Sequence, residues 1–185
     1  MIICIDPGHG GSDPGAVGKV STEKDNSLSI CLKLRSLLEY FDHEVIMTRD
    51  TDKDVAYPGA SASVELQARC DISNNANADL FLSVHCNSYS NPGAHGTETF
   101  YMEGSTKGSL LAQYIHGELV GMGLTNRGTK TAGFKVLRST DAPAALVELA
   151  FISNPEEEAM LADENMQEAF AEAICRGIQN YGREV

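Results

Sequence analysis

The chain has 185 residues, 42% apolar and 22% charged, which suits one globular domain with a sizeable core and argues against disorder. Its 14 basic and 26 acidic residues leave a formal charge of −12, and the basic ones are scattered, which argues against nucleic acid as a partner and against electrostatic attraction to polyanionic surfaces. The longest apolar runs, about five or six residues, fall far short of the roughly 20 that a membrane span needs, so no membrane insertion is expected.

Met1 leads directly into an apolar strand, Ile2–Asp6, without the basic and apolar segments of a secretory leader, so synthesis in the cytoplasm without a signal peptide is the expectation. The glycine-rich stretch Gly8–Gly18 follows. Leu28, Cys31, Leu34, Leu38 and Phe41 then recur at three- and four-residue spacing, a helical pattern that completes a βα unit. Glu44–Arg49 reads as a second strand, Thr51–Ala60 as a polar loop, and Ser63–Ala76 as a helix burying Leu66, Cys70 and either Ser73 or Ile72. Leu80–His85 is a continuous apolar run, typical of a strand covered on both faces.

Asn87–Gly96 is a loop, and Thr97–Met102 alternates as a strand that should join the same sheet. Ser105 is placed to cap a helix carrying Leu111, Tyr114, Ile115 and Leu119, which ends near Gly121–Gly123. Phe134–Leu137 and Ala144–Leu149 read as two further strands around the turn-prone Arg138–Pro143. Asn154-Pro155-Glu156-Glu157 is a helix start, with a capping residue, proline at the first helical position and glutamate three residues after the cap. A last helix, Glu164–Tyr181, should bury Met166, Phe170, Ile174 and Ile178. Alternating elements of this kind predict a three-layer α/β fold with a mostly parallel sheet, and the absence of repeats or linkers makes residues 1–185 one domain.

In open α/β sheets, ligands bind outside the carboxyl ends of the strands. His9 lies three residues beyond the first strand, His85 closes the third, Glu148 is near the end of the last, and Glu23 arrives from the start of the first helix. All four can therefore converge on one edge. His9, Glu23 and His85 offer two imidazoles and a carboxylate, the ligand set of a catalytic zinc site with a fourth position open for water. Zinc lowers the pKa of such water to about 7, and Glu148 is placed to act as its base.

Each residue also has a plainer reading. A lone strand-end histidine such as His85 can be a hydrogen-bonded core residue, and Glu23 can simply complement a helix dipole. Glu148 lies within the apolar run Ala144–Leu149, where a carboxylate is costly to bury without a function or a structural salt bridge. His43, His95 and His116 have no comparable setting and read as loop or helix-surface residues. Gly8–Gly18 follows a strand as a phosphate cradle would, but it fits neither G-x-G-x-x-G nor G-x-x-x-x-G-K-[ST]. Its glycines are better explained as letting the backbone turn so that His9 faces a metal. Cys4, Cys31, Cys70, Cys86 and Cys175 form no C-x-x-C pair and read as buried thiols in a reducing compartment; Cys86 points to the opposite strand face from His85 and belongs to the core.

Taken together, these residues resemble the catalytic domain of the zinc-dependent N-acetylmuramoyl-L-alanine amidases, the amidase type 3 family. The matching pieces are Ile5–Gly11, Asp13–Ala16, Glu23–Asp25, Thr48-Arg49, Leu66 with Arg69, Ala78–Asn87, Gly96–Glu98 and Pro143–Asn154, in order along nearly the whole chain. The resemblance implies that His9, Glu23 and His85 bind one Zn²⁺, that Glu148 is the catalytic glutamate, and that the sheet is twisted with about six strands flanked by helices. It further implies hydrolysis of the amide joining N-acetylmuramic acid to the L-alanine of the stem peptide in bacterial peptidoglycan. Asn87, two residues past His85 on the same strand face, is a candidate for contacting substrate or the oxyanion.

Two features depart from many members. No inserted segment of the autoinhibitory kind interrupts Asn87–Gly96 or Gly128–Phe134, which suggests an always-open site, and the sequence stops just past the last helix without the family's frequent wall-binding domain, so a catalytic domain cut at a domain boundary is expected, or else a minimal enzyme. A phage endolysin or an autolytic, mother-cell lysis enzyme acting at the wall after release fits best. The alternatives are another zinc hydrolase acting on peptidoglycan, such as a carboxypeptidase or deacetylase, a silent wall-binding module, and a nucleotide-binding protein. Oligomeric state is not legible.

Overall fold

The computed structural model describes residues 1–185. The first half contains β1 (Ile2–Pro7), α1 (Glu23–Tyr40), β2 (Glu44–Met47), α2 (Ala62–Asn75), β3 (Leu80–Asn87) and β4 (Thr97–Tyr101). The second half adds α3 (Thr106–Gly121), β5 (Asn126–Thr131), α4 (Lys135–Arg138), β6 (Ala144–Phe151), α5 (Pro155–Ala162) and α6 (Glu164–Gly182). Three helix starts carry side-chain caps that satisfy otherwise unpaired amides: Ser105 accepts from Gly108 N, Asn154 from Glu156 N and Glu157 N, and Asp163 from Met166 N.

One six-stranded sheet has the order β2-β1-β3-β6-β4-β5. The four strands β2, β1, β3 and β6 are mutually parallel, β4 runs antiparallel to β6, and β5 is parallel to β4. The expected mostly parallel α/β architecture is therefore what the chain forms.

Strand alternation sorts side chains into two unequal cores. Ile3, Ile5, Leu82, Val84, Val147 and Leu149 point to the face covered by α1, α3 and α6, where 28 buried residues form the main core. Cys4, Phe81, Ala144 and Leu146 point the other way, to a cluster of seven completed by Cys70 of α2 and by Val136 and Leu137 of α4. Asp6, Ser83, His85 and Glu148 share the phase of this smaller face, beyond the end of its apolar cluster. The thin cover leaves room for a cleft above the carboxyl ends of the central strands. Cys86 has the opposite phase and is buried in the main core, as are Cys31 and Cys175; all five cysteines are free thiols.

Several expected details differ. Phe134–Leu137 is not a strand; the segment forms the single turn α4, because neighbouring Val136 and Leu137 both bury against the same cluster, which strand geometry would forbid. β5 gave no strand signal, since Asn126–Thr131 is wholly polar and pairs as an edge through its backbone. Leu66 is 36% exposed at the rim of the cleft, and Arg69 takes the inward position on α2 instead. Phe41 is exposed, and Gln167 rather than Met166 is buried on α6, bonded to Leu161 O and Ser29 Oγ. His116 is buried between Thr99 and Asn126, not on the helix surface.

Candidate active site

β1 ends at Pro7, and the next residues cross the edge of the sheet. Gly8 passes directly against the His85 ring, where a Cβ would lie 2.5 Å from Cε1. His9 adopts a left-handed backbone with φ of 59°, uncommon for a residue with a side chain. Two buried arginines hold that turn. Arg69 donates to Pro7 O at 2.7 Å and His9 O at 2.6 Å, while Arg49 donates to Pro7 O at 3.1 Å and Gly8 O at 2.7 Å. Arg69 is balanced by Asp6 at 2.7 Å, which also accepts from Thr48 Oγ1 and Ser83 Oγ. Burial alone would raise the Asp6 pKa, but the Arg69 charge and these donors outweigh it and hold the carboxyl below its usual range.

Both imidazoles face one carboxylate oxygen. Glu23 Oε1 lies 3.1 Å from His9 Nε2 and 2.9 Å from His85 Nδ1, and accepts from Cys86 N at 3.0 Å. Glu23 Oε2 accepts from Ala16 N at 2.8 Å. A Cβ on Gly15, whose φ is +65°, would lie 2.6 Å from both Glu23 and His9, so only glycine lets the loop close on these groups. The remaining His9 nitrogen, Nδ1, bonds Asp13 Oδ2 at 2.7 Å, the carboxylate–imidazole arrangement that orients metal-ligating histidines. Burial lowers the His9 pKa, but Glu23 and then Asp13 more than compensate and raise it to about 9. Glu23 lies well below the carboxylate range: burial opposes its ionisation, and the two histidines override that.

The candidate ligand atoms of His9, Glu23 and His85 all lie within 4.8 Å of one another, a group that could hold a metal ion. Nitrogen and carboxylate donors in this number fit a borderline cation such as Zn²⁺, with room for further ligands.

Glu148 is the direct cross-strand partner of His85 in the β3–β6 pairing. Its Oε2 is buried without a hydrogen-bond partner. Burial, reinforced by the negative charges of Glu23 and Glu98 and only partly offset by the histidines, raises its pKa to about 7. Asn87 lines the same cleft, beyond a register shift in the pairing of β3 with β6. Its amide donates to Glu98, which lies opposite Glu148 across β4–β6 and is neutralised by Lys130 and by Arg127 at 3.6 Å.

The structure thus brings together all five residues singled out from the sequence, on the walls of one cavity of about 630 Å³. Sequence reasoning assigned no role to Asp13 or Glu98, although both lie in the stretches that carry the resemblance. A carboxylate four residues past a glycine-loop histidine was the available signal for Asp13; Glu98 gave none, because its cationic partners, Arg127 and Lys130, come from the unrecognised β5.

The family model described as N-acetylmuramoyl-L-alanine amidase (Amidase_3) matches residues 3–180. The germination-specific N-acetylmuramoyl-L-alanine amidase of Bacillus subtilis (strain 168) is 33% identical over 187 residues, covering 97% of this chain and 79% of the relative. The endolysin of Bacillus phage SPP1 is 37% identical over 184 residues, covering 96% of this chain and 64% of the endolysin. Among solved structures, the CwlD amidase from Clostridioides difficile, in complex with the GerS lipoprotein, superposes with a TM-score of 0.94 at 35% identity over 100% of this chain and 99% of that one.

Proposed function

The chain belongs to the amidase type 3 family of N-acetylmuramoyl-L-alanine amidases, which hydrolyse peptidoglycan, and from that premise we propose that His9, Glu23 and His85 hold one Zn²⁺ while Glu148 is the general base. The bond cleaved is the amide between the lactyl group of N-acetylmuramic acid and L-alanine, and residues 1–185 act as one catalytic domain. The observation that carries the assignment is the unpartnered, buried Glu148 Oε2 beside a converging His-Glu-His group.

Bound Zn²⁺ supplies Lewis-acid polarisation of a carbonyl and acidification of water. The chain's own residues do the rest. Glu148, with a proton affinity raised by burial to about 7, takes a proton from the attacking water as its oxygen adds to the amide carbon. The same carboxyl returns that proton to the L-alanine nitrogen as the C–N bond breaks, and the acid proton of the new muramoyl carboxyl passes to the released amine, leaving a carboxylate and an ammonium. Asp13 fixes the His9 ring through Nδ1, and the Arg49 and Arg69 clamps fix its backbone, so the ligand group is held in place before substrate arrives. Asn87, held by Glu98, contributes an amide to substrate binding on the cleft wall.

Glu148→Gln tests the assignment. Turnover should fall by roughly 10² to 10⁴ or more while bound zinc, read by atomic absorption, stays near one per chain. Retained turnover, or loss of the metal, would remove Glu148 from its role.

A further inference from the structure

We propose that Lys135 binds a carboxylate of the stem peptide, on the residue following L-alanine, and so sets which peptidoglycan chemotype the enzyme prefers. The inference rests on the amidase reading and concerns the same cleft.

The cleft walls are strongly acidic, carrying Asp13, Glu23, Asp54, Glu65 and Glu148. Most of these have internal partners: Asp13 takes His9, Asp54 accepts from Ser12 N and Oγ, and Glu65 accepts from Val55 N and Ala56 N. The two lysine or arginine residues on the walls differ in the same respect. Arg69 is consumed by Asp6 and by the Pro7 and His9 carbonyls, whereas the Lys135 ammonium makes no hydrogen bond or ion pair.

The backbone beneath Lys135 is nevertheless fixed. Val136 and Leu137 are each only 3% exposed, the Phe134 ring packs edge-on against Phe100 at 5.4 Å, and Cys70 Sγ lies 3.8 Å from Lys135 O. An unpaired cation on a rigid base, in a cleft whose walls carry several carboxylates, is suited to receive an anionic group of a ligand. In a chain of net charge −12, the carboxylates on that wall would repel a carboxylate of the peptide, and of the two lysine or arginine side chains there only Lys135 is free to receive it. The lactyl carboxyl of the sugar is tied up in the scissile amide, so the free carboxylates of the substrate lie on the stem peptide, and the first that can be free belongs to the residue after L-alanine.

The test uses two synthetic muramoyl peptides that differ only in whether the second residue carries a free carboxylate or a carboxamide, with the zinc-loaded protein. The parent should favour the free carboxylate by roughly tenfold in kcat/KM, mostly through KM. Lys135→Arg should keep that preference, Lys135→Gln should remove it, and Lys135→Glu should invert it toward the carboxamide. A ratio unchanged in Lys135→Glu, with both substrates still cleaved, overturns the inference while leaving the amidase reading intact. Cleavage of neither substrate by the parent overturns the amidase reading and the inference with it.

Discussion

Glu148 combines two roles that pull in opposite directions. A carboxyl with a pKa raised to about 7 is a competent base near neutrality, and it is also a folding liability. The sign follows from proton binding: between the ordinary value of 4.5 and about 7 the folded state holds the Glu148 proton more tightly than the unfolded chain, so stability falls as pH rises through that window and the full cost applies above it. In metal-free protein, urea unfolding should show Glu148→Gln gaining on the parent by about 2 to 3 kcal/mol between pH 4 and pH 8. A difference independent of pH would mean that the carboxyl is not destabilised in the fold. At this scale the sequence was highly legible, because a glutamate in the middle of Ala144–Leu149 and histidines at strand ends stand out against their neighbours. His116 was misread for the opposite reason: its burial depends on Asn126 and Thr99, contacts between elements that no local pattern announces.

Elements with strong periodicity or cap chemistry were legible, and those built by tertiary context were not. The Asn154-Pro155 start of α5 forms as its residues dictate, but what it does for the site is visible only in three dimensions. Glu157, in its first turn, accepts from Gly96 N at 2.7 Å and from Phe151 N at 2.6 Å, and Glu158 accepts from Val20 N at 2.7 Å. α5 thereby ties the start of β4, the end of β6 and the loop before α1 to one helix turn. Glu157→Gln keeps one acceptor oxygen but sets its NH₂ against the other buried amide, which should cost about 1.5 to 3 kcal/mol in urea unfolding, with zinc binding preserved. A loss within about 0.5 kcal/mol would show that the tie carries little. α4 and β5 escaped sequence reading for different reasons: Phe134–Leu137 is too short and apolar to declare its period, and Asn126–Thr131 is too polar to look like a strand.

Across the whole molecule, the unequal covering of the sheet is what makes a site. α1, α3 and α6 bury one face completely, while α2 and the single turn α4 cover only part of the other. The residues in phase with that second face therefore change from apolar to polar along each strand: Cys4 to Asp6, Phe81 to Ser83 and His85, Leu146 to Glu148. Alternation of β and α signals made the layered architecture readable, and the carboxyl-edge rule brought four residues to one place, but the asymmetry of the two layers was not readable because it depends on how helices of different length distribute over the sheet. That asymmetry also leaves one cleft open along α2 and α4, with the candidate metal group at its floor and Lys135 on its wall.

The central claim is that this cleft performs metal-dependent cleavage of the muramoyl–alanine amide. Purified protein incubated with peptidoglycan, with and without a zinc chelator, and followed by mass spectrometry of the soluble products, tests it directly. Stem peptides with a free L-alanine amino terminus should appear, vanish on chelation and return when Zn²⁺ is restored. Products cut within the peptide or at an acetyl group, or release that ignores the chelator, would contradict it.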